Sequence, residues 1–122
     1  MRTIKFRGRS IHTDKWHYGD LFRPNENTSF IYEKGTAGVL CSHIGQFTGM
    51  FDYSKKEIWE DDIVNVSCLN YTGLAVIKFI DGAFCMVGEN WIESLNGFDT
   101  DSLDIIGNIH DNPELLKGGN DE

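Results

Sequence analysis

The sequence predicts a mainly β fold, a small bent sheet or partly open barrel carrying one or two short helical turns. Three observations lead there. Apolar residues cluster in short runs with β-like alternation, turn-forming residues interrupt the chain at frequent intervals, and no long amphipathic helical pattern occurs.

The strongest element is the run Ala75-Val76-Ile77-Lys78-Phe79-Ile80, followed by Asp81-Gly82 and then by Ala83-Phe84-Cys85-Met86-Val87. Asp-Gly between two such runs predicts a β-hairpin, because a type I′ turn needs positive φ at both central residues. Upstream, Ile4-Lys5-Phe6-Arg7 alternates apolar with basic residues and predicts a strand that buries Ile4 and Phe6. An aromatic stretch through Trp16, Tyr18, Leu21 and Phe22 follows, then a turn over Arg23-Pro24-Asn25-Glu26-Asn27. Ser29 to Glu33 is a further strand candidate closed by Lys34-Gly35, and Val39-Leu40 suggests a short one. Ile63-Val64-Asn65-Val66 favours a strand through its β-branched residues, with Glu60-Asp61-Asp62 as a solvated turn before it. Trp91 to Leu95 reads as a strand or a helical turn. Leu103 to Ile109 reads as a final strand with Gly107 at a bulge. Asn112-Pro113-Glu114 has the chemistry of a helix start, with the Asn112 amide as N-cap. Gly118 to Glu122 lacks apolar residues and is expected to be disordered.

At 122 residues the chain fits a single domain, placed at 1–117 with an N-terminal β region at 1–50 and a barrel-like β region at 51–112. No apolar stretch approaches the roughly 20 residues that span a bilayer, and the first residues lack a signal-peptide pattern. A cytoplasmic protein, without a membrane partner, is the expectation. Three cysteines without a CxxC pair argue against a disulfide framework. Net charge is −8 and unevenly spread: up to Arg23 six basic residues face two acidic ones, leaving −12 for the remainder. Such a remainder repels nucleic acid at long range.

Four blocks in order resemble the YopX family, whose members are encoded by phages and prophages. They are Ile4-Lys5-Phe6-Arg7, Gly45-Gln46-Phe47-Thr48-Gly49, Lys56 to Val64, and Ile106-Gly107-Asn108-Ile109-His110-Asp111-Asn112-Pro113-Glu114-Leu115-Leu116. The resemblance implies a mainly β fold with an SH3-like, barrel-like C-terminal half, and it implies no established activity. Two departures stand out. The family usually has an Asp-x-Asn-Gly-Lys turn where this chain has Asp52-Tyr53-Ser54-Lys55-Lys56. It usually has Glu-Gly-Asp where this chain has Glu60-Asp61-Asp62.

Three groups of residues have the composition of a site. Glu60, Asp61 and Asp62, with Asp52 and Asp81, offer hard oxygen ligands for Mg²⁺ or Ca²⁺, although consecutive strand residues diverge to opposite faces. Cys41-x-His43 with Cys68, Cys85 and His110 offers zinc-type ligands at a spacing that matches no common zinc motif. Arg7, Arg9 and Trp16, with Phe6, Tyr18 and Arg23, combine aromatic stacking surface with cations, as single-stranded nucleic acid requires. His12 and His17 read as surface polar residues. Walker A, dinucleotide-binding, HExxH and GxSxG motifs do not occur. By elimination the expectation is a non-catalytic accessory protein without metal or cofactor, one that binds a protein partner or assembles with itself as a homo-oligomer. The alternatives are a regulatory nucleic-acid binder using Arg7, Arg9 and Trp16, and a metal-dependent enzyme using Glu60, Asp61 and Asp62.

Overall fold

The structure, a computed structural model, describes residues 3–68 and 70–117. It is mainly β, and the chain divides into two compact units between Gly49 and Met50. The expectation of a disordered tail at 118–122 falls outside the described residues.

The first unit contains β1 (Phe6–Ser10), β2 (Trp16–Asn25), β3 (Thr28–Tyr32) and most of β4 (Val39–Phe51). β1 pairs antiparallel with β2, β2 with β3, β3 with β4, and β4 again with β1. The four strands therefore close into a ring. Two of them reach both neighbours by serving each with a different half. In β2, Trp16 to Gly19 faces β1 and Asp20 to Asn25 faces β3. In β4, Val39 and Leu40 face β3, while Cys41 to Gln46 faces β1.

A ring this small leaves little interior space. A Cβ added at Gly8 would lie 2.7 Å from Cys41 Cβ, 2.7 Å from Ile44 Cδ1 and 3.1 Å from Ile31 Cγ1. Ile31 is completely buried there, and Cys41 and Ser10 nearly so.

Several expectations for this unit need correction. β1 begins at Phe6, two residues late; Ile4 is 56% exposed while Arg7 is buried. The charged position of the alternation is the buried one, because Trp16 covers the Arg7 side chain on the outer face. The turn at Arg23–Asn27 shrinks to Glu26-Asn27, since β2 continues through Asn25. Pro24 is tolerated because it sits in the register irregularity between Phe22 and Asn25, where no ladder hydrogen bond is lost. The short strand expected at Val39-Leu40 is part of a 13-residue strand. Its alternation is broken by a bulge: His43 and Ile44 stand opposite the single residue Gly8, and His43 has φ of 54°.

The second unit contains β5 (Glu57–Trp59), β6 (Asp62–Ser67), β7 (Thr72–Ile80), β8 (Ala83–Val87), β9 (Ile92–Ser94), a 3-10 turn (Thr100–Ser102), β10 (Leu103–Asn108) and α1 (Glu114–Lys117). Its sheet has the order β10-β6-β7-β8-β9, with every pair antiparallel. The β7–β8 hairpin is as the Asp-Gly signal requires. Ile80 pairs with Ala83, and the two turn residues have φ of 51° and 85°. Inward positions of successive strands converge on one core of Ile58, Val64, Val66, Ala75, Ile77, Met86, Leu95 and Leu103. In β10 the register shifts between Ile105 and Gly107, so the bulge lies at Ile106, beside the expected glycine.

The helix start is corrected in one respect. The Asn112 side chain accepts from the Asn108 N–H at 3.2 Å, fastening the turn that follows β10; it is not the amide cap of α1. The 3-10 turn, capped by the Asp99 carboxylate accepting from Asp101 N–H, had no signal in the sequence reading.

Two outcomes test this packing. Gly8→Ala is expected to cost about 1–3 kcal/mol through overpacking of the ring, visible as a lower midpoint in urea. Ile77→Ala, which opens a void in the fully buried core, is expected to cost about 2–5 kcal/mol.

Candidate functional site

The acidic residues singled out from the sequence do structural work. Asp52 is completely buried. One of its oxygens accepts from the Ser54 N–H (3.0 Å), the Ser54 hydroxyl (3.1 Å) and the Lys56 N–H (2.9 Å), and the other accepts from the Ile105 N–H at 3.1 Å. The Lys56 ammonium lies 3.9 Å away. Burial alone pushes this carboxyl up. The hydrogen bonds from Ile105, Lys56 and Ser54 together outweigh it and hold the group below the ordinary aspartate value.

Asp62 is also buried, and its carboxylate accepts from the Trp59 N–H at 2.7 Å, closing the turn between β5 and β6. Between them, Asp61 is tied through both backbone and side chain. Its N–H donates to Ile77 O at 2.7 Å, and its carbonyl accepts from Ile109 N–H at 3.0 Å. Lys78 Nζ donates to Asp61 Oδ1 at 2.9 Å, and His110 Nε2 lies 3.1 Å from Oδ2. A carboxylate can only accept, so that ring nitrogen carries the proton. The expectation of a solvated acidic turn is therefore overturned for Asp61 and Asp62. Their short side chains supply hydrogen bonds that the tight turn's own backbone cannot. Glu60 is half-buried beside them and Asp81 is an exposed turn residue. Among the described residues, no three His, Cys, Asp or Glu side chains are arranged to hold a metal ion.

The cysteines are free. Cys41 is buried in the ring on β4, and burial is the main cause pushing its thiol up. Cys85 is buried on β8, and Cys68 donates to Tyr71 O at 3.4 Å. His43 occupies the β4 bulge and His110 belongs to the Asp61 cluster. His17 Nδ1 lies 3.3 Å from Glu33, and His12 is exposed.

Arg7, Arg9 and Trp16 do come together. Arg9 pairs across from Trp16 and Arg7 from Tyr18, so all four share the outer face of the ring. The Arg7 guanidinium lies 4.6 Å from the Trp16 ring centre and that of Arg9 lies 5.8 Å away. These are cation–π contacts within the protein, and Arg7 is buried beneath them.

Sequence reasoning missed the continuation of that outer face. Tyr18, Asp20 and Phe22 alternate along β2 and point outward, with Tyr32 directly opposite Asp20 and Phe30 opposite Phe22. Tyr18, Phe22 and Tyr32 are 44%, 52% and 41% exposed. Tyr32 meets the Phe22 ring edge-on with centroids 6.4 Å apart, and Phe30 is equally distant. A concavity of about 480 Å³ opens between Asp20, Tyr32, Glu33 and Thr36. The signal was present as period-2 spacing of aromatics, but periodicity does not say which face is buried.

The second unit has a groove of about 540 Å³ lined by Leu74, Val87, Trp91, Leu115 and Leu116, with Glu89 at its rim. The Trp91 ring packs tilted against Tyr71, with centroids 4.8 Å apart. The Tyr71 hydroxyl donates to Glu93 at 2.9 Å, which raises its pKa above the ordinary tyrosine value.

A family model described as "YopX protein" matches residues 5–117, and the chain belongs to that family. Among solved structures, the crystal structure of protein EF1440 from Enterococcus faecalis is similar at 21% identity with a TM-score of 0.61. The match covers 95% of this chain and 99% of that one. No curated protein matches the chain. No helix among the described residues is long and apolar enough to cross a membrane.

Two outcomes follow from the turn between Asp52 and Lys56. Because the Asp52 carboxyl is held below its unfolded value, it contributes stability above about pH 4 that is lost as pH falls through its lower folded value. Asp52→Asn should flatten this acid limb and cost about 1–3 kcal/mol at pH 7, read from urea midpoints across pH. Lys55 has φ of 71°, at the position where the family usually carries glycine. Lys55→Gly should therefore stabilise by about 0.5 kcal/mol, the relief of left-handed strain less the extra chain entropy of glycine. Lys55→Ala, which keeps the strain, should not raise the midpoint.

Proposed function

We propose that this member of the YopX family is a non-catalytic accessory protein of a phage or prophage, and that it works by binding a protein partner through the outer face of its four-stranded ring. The observation that carries this reading is the exposure of Tyr18, Phe22 and Tyr32 together on that face. Large aromatics exposed singly are ordinary, but three on one sheet surface resemble the anchors that dominate protein interfaces.

Support also comes from how the other candidate groups are occupied. The Asp61 and Asp62 carboxylates that a metal-dependent hydrolase would need are engaged by Lys78, His110 and Trp59. Arg7 is stacked under Trp16 rather than presented to a phosphate. The net charge of −8 favours a basic protein over a nucleic acid.

The test is a double substitution, Tyr18→Ser with Phe22→Ser, in the full chain. Crosslinking in host lysate should yield discrete adducts with the parent protein and lose them with the variant. Circular dichroism should report an unchanged fold. Identical adducts from both proteins would exclude this face as the interface.

A further inference from the structure

We propose that the concavity beside Tyr32 is a receptor for an arginine side chain of a basic protein partner, an inference that rests on the binding role given to this face. Asp20 stands in the middle of the aromatic surface, flanked by Tyr18 and Phe22 along β2 and faced by Tyr32 across the ladder. Among the described residues its carboxylate makes no hydrogen bond or ion pair. An exposed acid surrounded by aromatic rings pairs a point anion with π faces, and both attract a cation. Arginine suits the arrangement better than lysine. Its flat guanidinium can lie on a ring while its forked N–H groups reach a carboxylate.

The walls of the concavity are held in place. The Tyr32 ring lies against the backbone of Gly38, where an added Cβ would come within 2.5 Å of Tyr32 Cζ, so the ring has no room to fold inward. Glu33 adds a second negative charge to the lining. Its carboxylate accepts from the Tyr18 N–H at 3.3 Å and meets His17 at the same distance, and these contacts hold its pKa below the ordinary value. One group opposes the ligand: Lys34 also lines the concavity. It places a like charge beside the incoming cation, which gives the proposal a sign test. The chain's charge of −8 draws a basic partner toward the surface at long range.

The experiment is an amide chemical-shift titration of the full-length protein with N-acetyl-arginine methylamide, set against the citrulline analogue, which keeps the planar shape and loses the charge. The arginine probe should bind in the millimolar range, shifting amides between Gly19 and Thr36, with citrulline at least about threefold weaker. Asp20→Asn should weaken the arginine probe roughly three- to fivefold, the size of an exposed charge contact, and Lys34→Ala should tighten it. Equal responses to the two probes, or a Lys34→Ala variant that binds no better, would overturn the arginine receptor while leaving the aromatic face as an interface. Loss of adducts in the Tyr18/Phe22 variant tests that face separately. Concentration-dependent self-association abolished by Asp20→Asn would assign the site to a second copy of this chain and overturn the separate partner.

Discussion

The Asp52 carboxylate sits in the second unit with no exposure to solvent and four hydrogen bonds to accept. Three of them shape the turn from Asp52 to Lys56, and the fourth reaches the Ile105 N–H of β10. β10 is an edge of its sheet, and an edge presents unpaired N–H and C=O groups. Here the turn occupies that edge. Asp52 accepts from Ile105, Tyr53 N–H donates to Leu103 O at 3.0 Å, and the Lys56 ammonium donates to Ile105 O at 3.2 Å. Replacing the acid would leave several part-buried donors without their acceptor and would also unpin the edge strand, so the cost spreads beyond one contact.

Asp61 follows the same logic in the turn that leads into β6. With φ of 74° it occupies a conformation that glycine takes without strain. The compensation lies in its side chain, which gathers Lys78 from β7 and His110 from the turn after β10. Glycine at this position would relax the backbone and forfeit both contacts. Lys55 has the same type of backbone but offers little in return, because its ion pair with Asp101 spans 4.0 Å between two exposed side chains. Of the two departures from the family pattern, one therefore brings a compensating contact and the other brings almost none.

The second unit was largely legible in the sequence and the first was not. In β6, β7 and β8 the apolar runs are short and dense and pair without a register shift, and the Asp81-Gly82 pair states its own turn type. β4 defeated the same reading. The bulge at His43 and Ile44 shifts the alternation by one residue midway, so a single long strand looks like a short strand followed by an unassigned stretch. The N-terminal alternation misled for another reason. Binary patterning assumes that charge faces water, whereas Arg7 is buried against Trp16. The roles of Asp52, Asp61 and Asp62 were illegible because acids that cap a turn and acids that bind a metal have the same composition. Only their partners distinguish them, and those partners lie up to 53 residues away in the chain.

The division of charge between the units sharpens the functional reading. Residues 1–49 carry seven basic and four acidic side chains, a balance of +3, and the rest of the chain carries −11. On charge alone the first unit would be the place to look for phosphate binding, as the sequence suggests. Its cations are arranged otherwise. Arg7 and Arg9 lie against Trp16, Lys5 lies over the Phe47 ring at 5.1 Å, and Arg23 donates to Glu26 O at 2.7 Å. These four cations are thus held at the protein's own aromatic and carbonyl surfaces. What β2 and β3 present outward is aromatic, with an acid at its centre. Net charge describes a unit from a distance, but a partner that reaches van der Waals contact meets the side chains exposed on the face it touches. On the face formed by β2 and β3 those include Tyr18, Asp20, Phe22 and Tyr32, a set whose chemistry suits a cation more than an anion.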